Sequence, residues 1–275
     1  MRGRWQAATG IVLALLILAA TGRAQQPGSQ KVTKKLDGKV KVEYTPGKPV
    51  EGANLSLSGM TDKALRELAQ IPEYKDLKRL DLTGCTLLTD AGISELKAFK
   101  SLTVLTLPSV KITDAGMNDL KEIKTLRELC LSETKITDAG LQELQELPNL
   151  QRLMLARNDL TDAGFKHLAG CKKLQYIELS ETKVTGVGIS QLKDLQELQH
   201  LSLLKTKFTD AGMKELKELK SLRRLGLSHT KITDAGMKEL KELPNLQTLF
   251  VNYTAVTDAG VQDLLKALPK CQAYR

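Results

Sequence analysis

Leucine recurs along this chain with a fixed rhythm. Segments of the form LxxLxL begin at Leu77, Leu102, Leu126, Leu150, Leu174, Leu198, Leu222 and Leu246, as in Leu126-Arg127-Glu128-Leu129-Cys130-Leu131. The closing alternation predicts a short strand that turns two apolar side chains inward and leaves the residues around them outside. Further along each unit the spacing changes to three, as at Met237, Leu240 and Leu243, with Lys238, Glu239, Lys241 and Glu242 between them. That spacing predicts an amphipathic return helix. Between the two lies Thr-Asp-Ala-Gly, at 89–92, 113–116, 137–140, 161–164, 209–212, 233–236 and 257–260, with Thr-Gly-Val-Gly in the remaining slot at 185–188; every step is 24 residues. Only the first regular unit is longer, by one residue within 83–88. Such self-similarity is the mark of a solenoid, in which each unit buries its apolar face only by stacking on the next.

Two positions in the unit carry structural expectations. An inward site after the strand is filled by Cys85, Val110, Thr134, Asn158, Thr182, Thr206, Thr230 and Thr254. Side chains there that donate and accept hydrogen bonds are expected to satisfy backbone groups of neighbouring loops, leaving the loop around Val110 less well satisfied. The Thr-Asp-Ala-Gly core reads as a helix start, with Thr233 as N-cap, Asp234 at the positive end of the helix dipole, and Ala235 and Gly236 small enough for helices to sit close. Loss of the aspartate at Gly186 is then expected to weaken one helix start and leave the sheet intact. Upstream, residues 25–38 read as a flexible lysine-rich linker. Val40, Val42 and Tyr44 alternate with Lys39, Lys41 and Glu43 and predict a strand capping the solenoid. Leu55-Ser56-Leu57 with Thr61-Asp62-Lys63-Ala64 forms a degenerate first repeat.

The pattern LxxLxLxx(T/N/C)x(L/I/V)TDAGxxxLxxL, over residues 55–275, resembles the leucine-rich-repeat family. Gly-Cys-Thr-Leu-Leu-Thr-Asp-Ala-Gly at 84–92 is similar to the cysteine-containing subtype in the repeat domains of F-box proteins. The shorter units are similar to the threonine-ladder arrays of secreted planctomycete repeat proteins, as is the ending Ala-Leu-Pro-Lys-Cys at 267–271. The resemblance implies an α/β solenoid: a right-handed arc with a parallel sheet on the concave side and helices on the convex side. It also implies a role in binding another macromolecule, most often a protein, on the concave sheet. No F-box precedes the repeats, so an adaptor role in ubiquitin ligation does not carry over. The expected organisation is residues 1–24 as a signal peptide, 25–51 as linker and cap strand, and 52–275 as the repeat domain. That domain comprises one degenerate and eight regular repeats, with a C-terminal cap at about 262–275.

Composition and charge narrow the partners. Aromatic residues make up 4% of the chain, as suits stacked aliphatic layers. The basic start MRGRW, the apolar run 7–20, and Gly22 and Ala24 at the small-residue positions predict export to a periplasmic or extracellular space with cleavage after Ala24; left uncleaved, the segment is an N-terminal membrane anchor. The mature chain is expected not to span a membrane. Formal charge is +9, and three arginines (2, 4 and 23) lie in the signal. Six of the remaining basic residues lie within 31–48, a segment suited to association with an anionic surface. The repeats themselves alternate signs, as in KELKELK at 214–220, so nucleic acid is not the expected partner.

Chemistry-bearing motifs are sparse. No hydrolase elbow, phosphate loop, zinc spacing or dinucleotide fingerprint is present, so no catalytic residue, metal or cofactor is expected. The four cysteines fall at unrelated repeat positions and are expected to be free thiols. The aspartate row is expected to serve helix starts, since one carboxylate per turn supplies too few oxygens for calcium. His200 and His229 project from neighbouring strands beside Arg224, without a third ligand. What varies within the fixed frame is the outward sheet face: Arg152, Met154, Arg157, Tyr176, Glu178, His200, Lys205, Arg224, His229, Phe250 and Tyr253. Arginine, tyrosine, histidine and phenylalanine are types concentrated in binding hot spots. These positions are the candidate surface for a protein partner of unknown identity. Two alternatives stay open: the residues are only the solvated side of a sheet, or the protein is an envelope spacer attached through its basic N-terminal segment.

Overall fold

A computed structural model describes residues 31–50 and 54–275. The expected signal peptide and the first residues of the linker lie outside the described residues. Two strands, β1 (Val32–Leu36) and β2 (Val40–Tyr44), pair antiparallel as a hairpin. This corrects the linker reading for residues 31–38; residues 25–30 lie outside the described residues. The turn is Asp37-Gly38, with φ of 44° and 67°, and Asp-Gly is a residue pair that tight hairpin turns favour. Leu36, Val40 and Val42 are buried, so the hairpin closes the end of the core rather than tethering it.

Ten short strands follow: β3 (Asn54–Ser56), β4 (Arg79–Asp81), β5 (Val104–Thr106), β6 (Glu128–Cys130), β7 (Arg152–Met154), β8 (Tyr176–Glu178), β9 (His200–Ser202), β10 (Arg224–Gly226), β11 (Thr248–Phe250) and β12 (Gln272–Tyr274). They form one parallel sheet in sequence order. The register is constant, so Arg152, Tyr176, His200 and Arg224 lie side by side on β7–β10. The last strand keeps the 24-residue step, Thr248 pairing with Gln272, although the core slot before it, at Cys271, comes 25 residues after Leu246. Cys271 donates its amide to Leu268 as Leu246 does to Leu243, yet β12 begins immediately after it. The middle residue of each central strand turns into the core, and one unit contributes Leu126, Leu129, Leu131, Ile136, Leu141, Leu144 and Leu147, each no more than 2% exposed.

The return segments on the opposite side mix α and 3-10 helix. Asp114–Leu120 and Asp210–Leu216 are α-helical, whereas Gly140–Glu146 and Ile189–Asp194 are 3-10. Five of the Thr residues expected as N-caps accept an amide from the first helical turn in the regular units, at 113, 137, 161, 233 and 257. The aspartates do more than favour the dipole. Asp114 Oδ1 accepts the amide of Thr137 in the next unit at 2.8 Å and its Oδ2 accepts the same residue's hydroxyl at 2.6 Å. Asp62, Asp90, Asp138, Asp162, Asp210 and Asp234 do likewise. Each aspartate is therefore a clamp between repeats. The glycine that follows leaves room for it: a Cβ on Gly140 would stand 2.3 Å from Asp114 Oδ1.

Both ends of this ladder are closed. Asp37 of the hairpin accepts from the Thr61 hydroxyl at 2.9 Å, and Arg275 pairs with Asp258. The gap at Gly186 is also filled. Thr209, which has no aspartate to meet, donates its amide to the Thr185 carbonyl at 3.3 Å, and the Phe208 ring occupies the space, 2.2 Å from a Cβ built on Gly186. The helix start there moves on to Ile189, and Glu215 of the next unit reaches back to accept from the Gly188 and Ser190 amides and the Ser190 hydroxyl. The neighbouring strands β8 and β9 remain paired, as expected.

The inward ladder acts mainly within each unit. The hydroxyls of Thr134, Thr182, Thr206, Thr230 and Thr254 donate to the carbonyl three residues back. Asn158 spans two units, donating to Leu131 and Leu155 carbonyls while its Oδ1 accepts the Thr134 amide at 3.0 Å. This corrects the expectation that the ladder serves mostly neighbouring loops. A hydroxyl on a short stem reaches only its own turn, whereas the longer amide reaches further. At Val110 the Leu107 carbonyl receives only the Val110 amide, at 3.4 Å.

Candidate functional site

Strand alternation places the first and third residues of each strand on the open sheet face. In the first column Arg152 sets its guanidinium 4.4 Å from the Tyr176 ring centre, and Tyr176 meets His200 edge to face at 5.9 Å. Arg152 lies 3.8 Å from Glu128. Burial, and then Arg224 and Arg152, hold the His200 pKa below its ordinary 6.5, so the imidazole is neutral at pH 7. Burial pushes the Tyr176 phenol up, with Glu178 adding to the shift. The second column runs from Cys130 through half-buried Met154 to Glu178, Ser202, Gly226, Phe250 and Tyr274. Phe250 and Tyr274 stack at 5.0 Å.

A third row borders the face. Ser109, Glu133, Arg157, Glu181, Lys205, His229 and Tyr253 all have φ between 54° and 60°, a left-handed conformation that costs a non-glycine residue about 1 kcal/mol or more. It is imposed by the stacking, because each of these amides except that of Tyr253 donates to a carbonyl of the next unit, as Arg157 does to Ser180 at 2.9 Å. The side chains then interlock. Ser109 donates to Glu133 at 2.6 Å, Arg157 pairs with both Glu133 and Glu181, and Lys205 lies 3.8 Å from Glu181. Hydrogen bonds from Ser109 and Arg157 hold the Glu133 carboxyl below its usual range, and Arg157 holds Glu181 low in the same way. His229 and Tyr253 stack at 4.3 Å, with Tyr253 80% exposed.

The structure thus brings the predicted residues onto one face but gives them different duties. Arg157 is occupied by two carboxylates, and Glu178 accepts from Ser180 at 3.2 Å. Arg224 is exposed, and among the described residues no carboxylate lies within ion-pair distance of it. Sequence reasoning missed Tyr274, because counting the frame from Cys271, one residue late in the repeat, puts Arg275 opposite Phe250; the strand itself keeps the 24-residue step, which places Tyr274 there. It also passed over Gly226, since a glycine displays no side chain.

The cysteines are buried free thiols. Cys130 faces outward as expected but is only 8% exposed, Cys85 donates to the Leu57 carbonyl at 3.0 Å, and burial pushes the Cys171 thiol up to about 12. Among the described residues no group of three or more His, Cys, Asp or Glu converges as metal ligands, and both oxygens of each clamp aspartate are already engaged by threonine. Among the same residues no helix is long and apolar enough to cross a membrane.

Fold and face together define a repeat solenoid displaying a varied parallel sheet. The chain belongs to the leucine-rich-repeat family: the family's profile, described as a leucine-rich repeat region, matches residues 85–272. In fold it is similar to an internalin (inlF) of Listeria monocytogenes, with a TM-score of 0.59 and 23% identity over 80% of this chain and 66% of that one. It is similar also to an internalin C2 (inlC2) of the same organism, with a TM-score of 0.54 and 26% identity over 78% of this chain and 83% of that one. The chain thus spans just under two thirds of the length of the first. No curated protein matches it in sequence.

Proposed function

We propose that this protein is a non-enzymatic, exported recognition module that binds a protein partner on its concave sheet, within residues 152–253. Membership of the leucine-rich-repeat family and likeness in fold to internalins support an interaction role. The observation that carries the proposal is the column Arg152, Tyr176, His200, Arg224, adjacent across four strands and not needed by the core. Mixed aromatic and guanidinium surfaces of this kind supply binding energy in hot spots. Charge reversal of Arg152 and Arg224 together, followed by capture of partners by proximity labelling in the native host, tests it. Loss of a specific partner supports the face as the site; an unchanged set of partners refutes it. Export is supported by the order of basic, apolar and small residues in 1–24 and is checked by a mature N-terminus at Gln25.

A second reading, attachment of an envelope spacer to an anionic surface, is favoured by the hairpin. Lys35 and Lys41 are direct cross-strand partners and both are exposed, an arrangement of like charges that costs stability. Because Leu36 and Val42 close the core, neutralising the lysines to glutamine tests attachment better than deleting the segment. Unchanged surface retention in that variant refutes the attachment.

A further inference from the structure

The open face changes character along its length. β4 to β8 and their border row present Asp81, Glu128, Glu133, Glu178 and Glu181, whereas the outward positions of β9 to β12 and their border row carry no carboxylate among the described residues. In that acid-free stretch Arg224 stands exposed, with no carboxylate within ion-pair distance among the described residues. Two strand positions further along lies Gly226, flanked in register by Ser202 and Phe250. The fold does not demand a glycine there. Its φ is not left-handed, and an added Cβ would meet nothing nearer than Ser202 Oγ at 3.3 Å. Glycine inside a strand weakens it, and it often marks a place where another backbone comes close. Here the strand carries no side chain beside the Phe250–Tyr274 stack, and Arg224 stands two residues before Gly226 on the same strand face.

We propose that this part of the sheet receives an extended acidic peptide segment of the partner, one of its carboxylates held by Arg224 and its backbone lying over Gly226 against Phe250 and Tyr274. The inference rests on the recognition reading above and adds the chemistry of the ligand. A guanidinium fork matches a carboxylate in a two-point contact. Phosphate backbones carry charge at every nucleotide and call for several unpaired cations; here Arg157 and Lys205 are already turned toward Glu181, and His200 is neutral. Charge complementarity therefore favours a peptide over a nucleic acid.

The test uses the mature chain, immobilised and offered a displayed library of random peptides, with oligo-dT as a second probe. Selected peptides are then synthesised and their affinities measured for the wild type, Arg224→Met, Gly226→Leu and Arg152→Met, each first checked for a cooperative melt. The expected result is enrichment of Asp and Glu in the selected peptides, with affinity lowered about tenfold or more by Arg224→Met and by Gly226→Leu. Peptides that depend on Arg152 but not on Arg224 or Gly226 overturn this inference and leave the sheet as a recognition face. Peptides indifferent to all three variants, or no selected peptide, overturn both. Oligo-dT that binds as tightly as the peptides and displaces them overturns the assignment in favour of nucleic acid.

Discussion

Replacing Asp114 and Gly140 by alanine, singly and together, tests the clamp that joins one repeat to the next. Asp114 gives its two oxygens to the amide and hydroxyl of Thr137. Hydrogen bonds to a charged group are worth about 1.5–3 kcal/mol when shielded. Thr137 is exposed, so water replaces part of each bond and about 1 kcal/mol apiece is the appropriate figure, or about 2 kcal/mol for Asp114→Ala. Gly140→Ala places a methyl group 2.3 Å from Asp114 Oδ1 and 3.1 Å from its Cγ, which forces the carboxylate out of both bonds. That variant loses the same ~2 kcal/mol but gains up to about 1 kcal/mol from the helix propensity of alanine, a net cost near 1. In the double variant the bonds are lost only once and the propensity is kept, again a net cost near 1 kcal/mol. Independent sites would sum to about 3, so the cycle should show coupling of about 2 kcal/mol. Urea unfolding measures it, provided the m-value stays constant across the four proteins, since a repeat array can lose cooperativity. Costs that add to within about 0.5 kcal/mol refute the clamp.

The exception at Gly186 makes its own prediction: Gly186→Ala should cost about 2 kcal/mol or more, from a φ of 92° and overlap with the Phe208 ring, and adding Phe208→Leu should restore part of it; no restoration refutes the pairing. At the left-handed border position, Arg157→Val should melt below Arg157→Gly although both remove the ion pairs, because a β-branched residue tolerates positive φ poorly; equal melting temperatures refute the strain. Burial and then the neighbouring arginines lower the His200 pKa in the folded state, so the unfolded chain takes the proton first. Stability should fall as pH drops from 6.5 toward the folded value, with no His200 contribution to the slope above that window, and His200→Gln should flatten this part of the profile; an unchanged slope argues against it. In the native protein Cys171 should resist alkylation, and all four cysteines should label after denaturation without reductant; a mass shift appearing only after reduction contradicts free thiols.

Most of the architecture was legible because stacking repeats one physical solution. A leucine or isoleucine at the centre of each regular repeat strand and a three-spaced apolar stripe fix which sides of a unit are buried, and recurrence at 24 residues fixes that neighbours pair. Where the frame broke, it misled. The hairpin at Asp37-Gly38 stands outside the repeat and was masked by its lysines, and Tyr274 was missed because Cys271 fills its core slot one residue late while the strand keeps the 24-residue step.

The sequence by itself determined the solenoid and which side of each regular repeat strand faces outward, because side-chain direction follows from the local period of the backbone. Only the tertiary structure decided what those side chains do. Whether Asp114 serves its own helix or the next repeat, whether Phe208 repairs the loss at Gly186, and whether Arg157 or Arg224 keeps its charge for a partner all depend on contacts between units 22 to 24 residues apart. Such contacts are set by the distance between stacked turns, which no single repeat encodes.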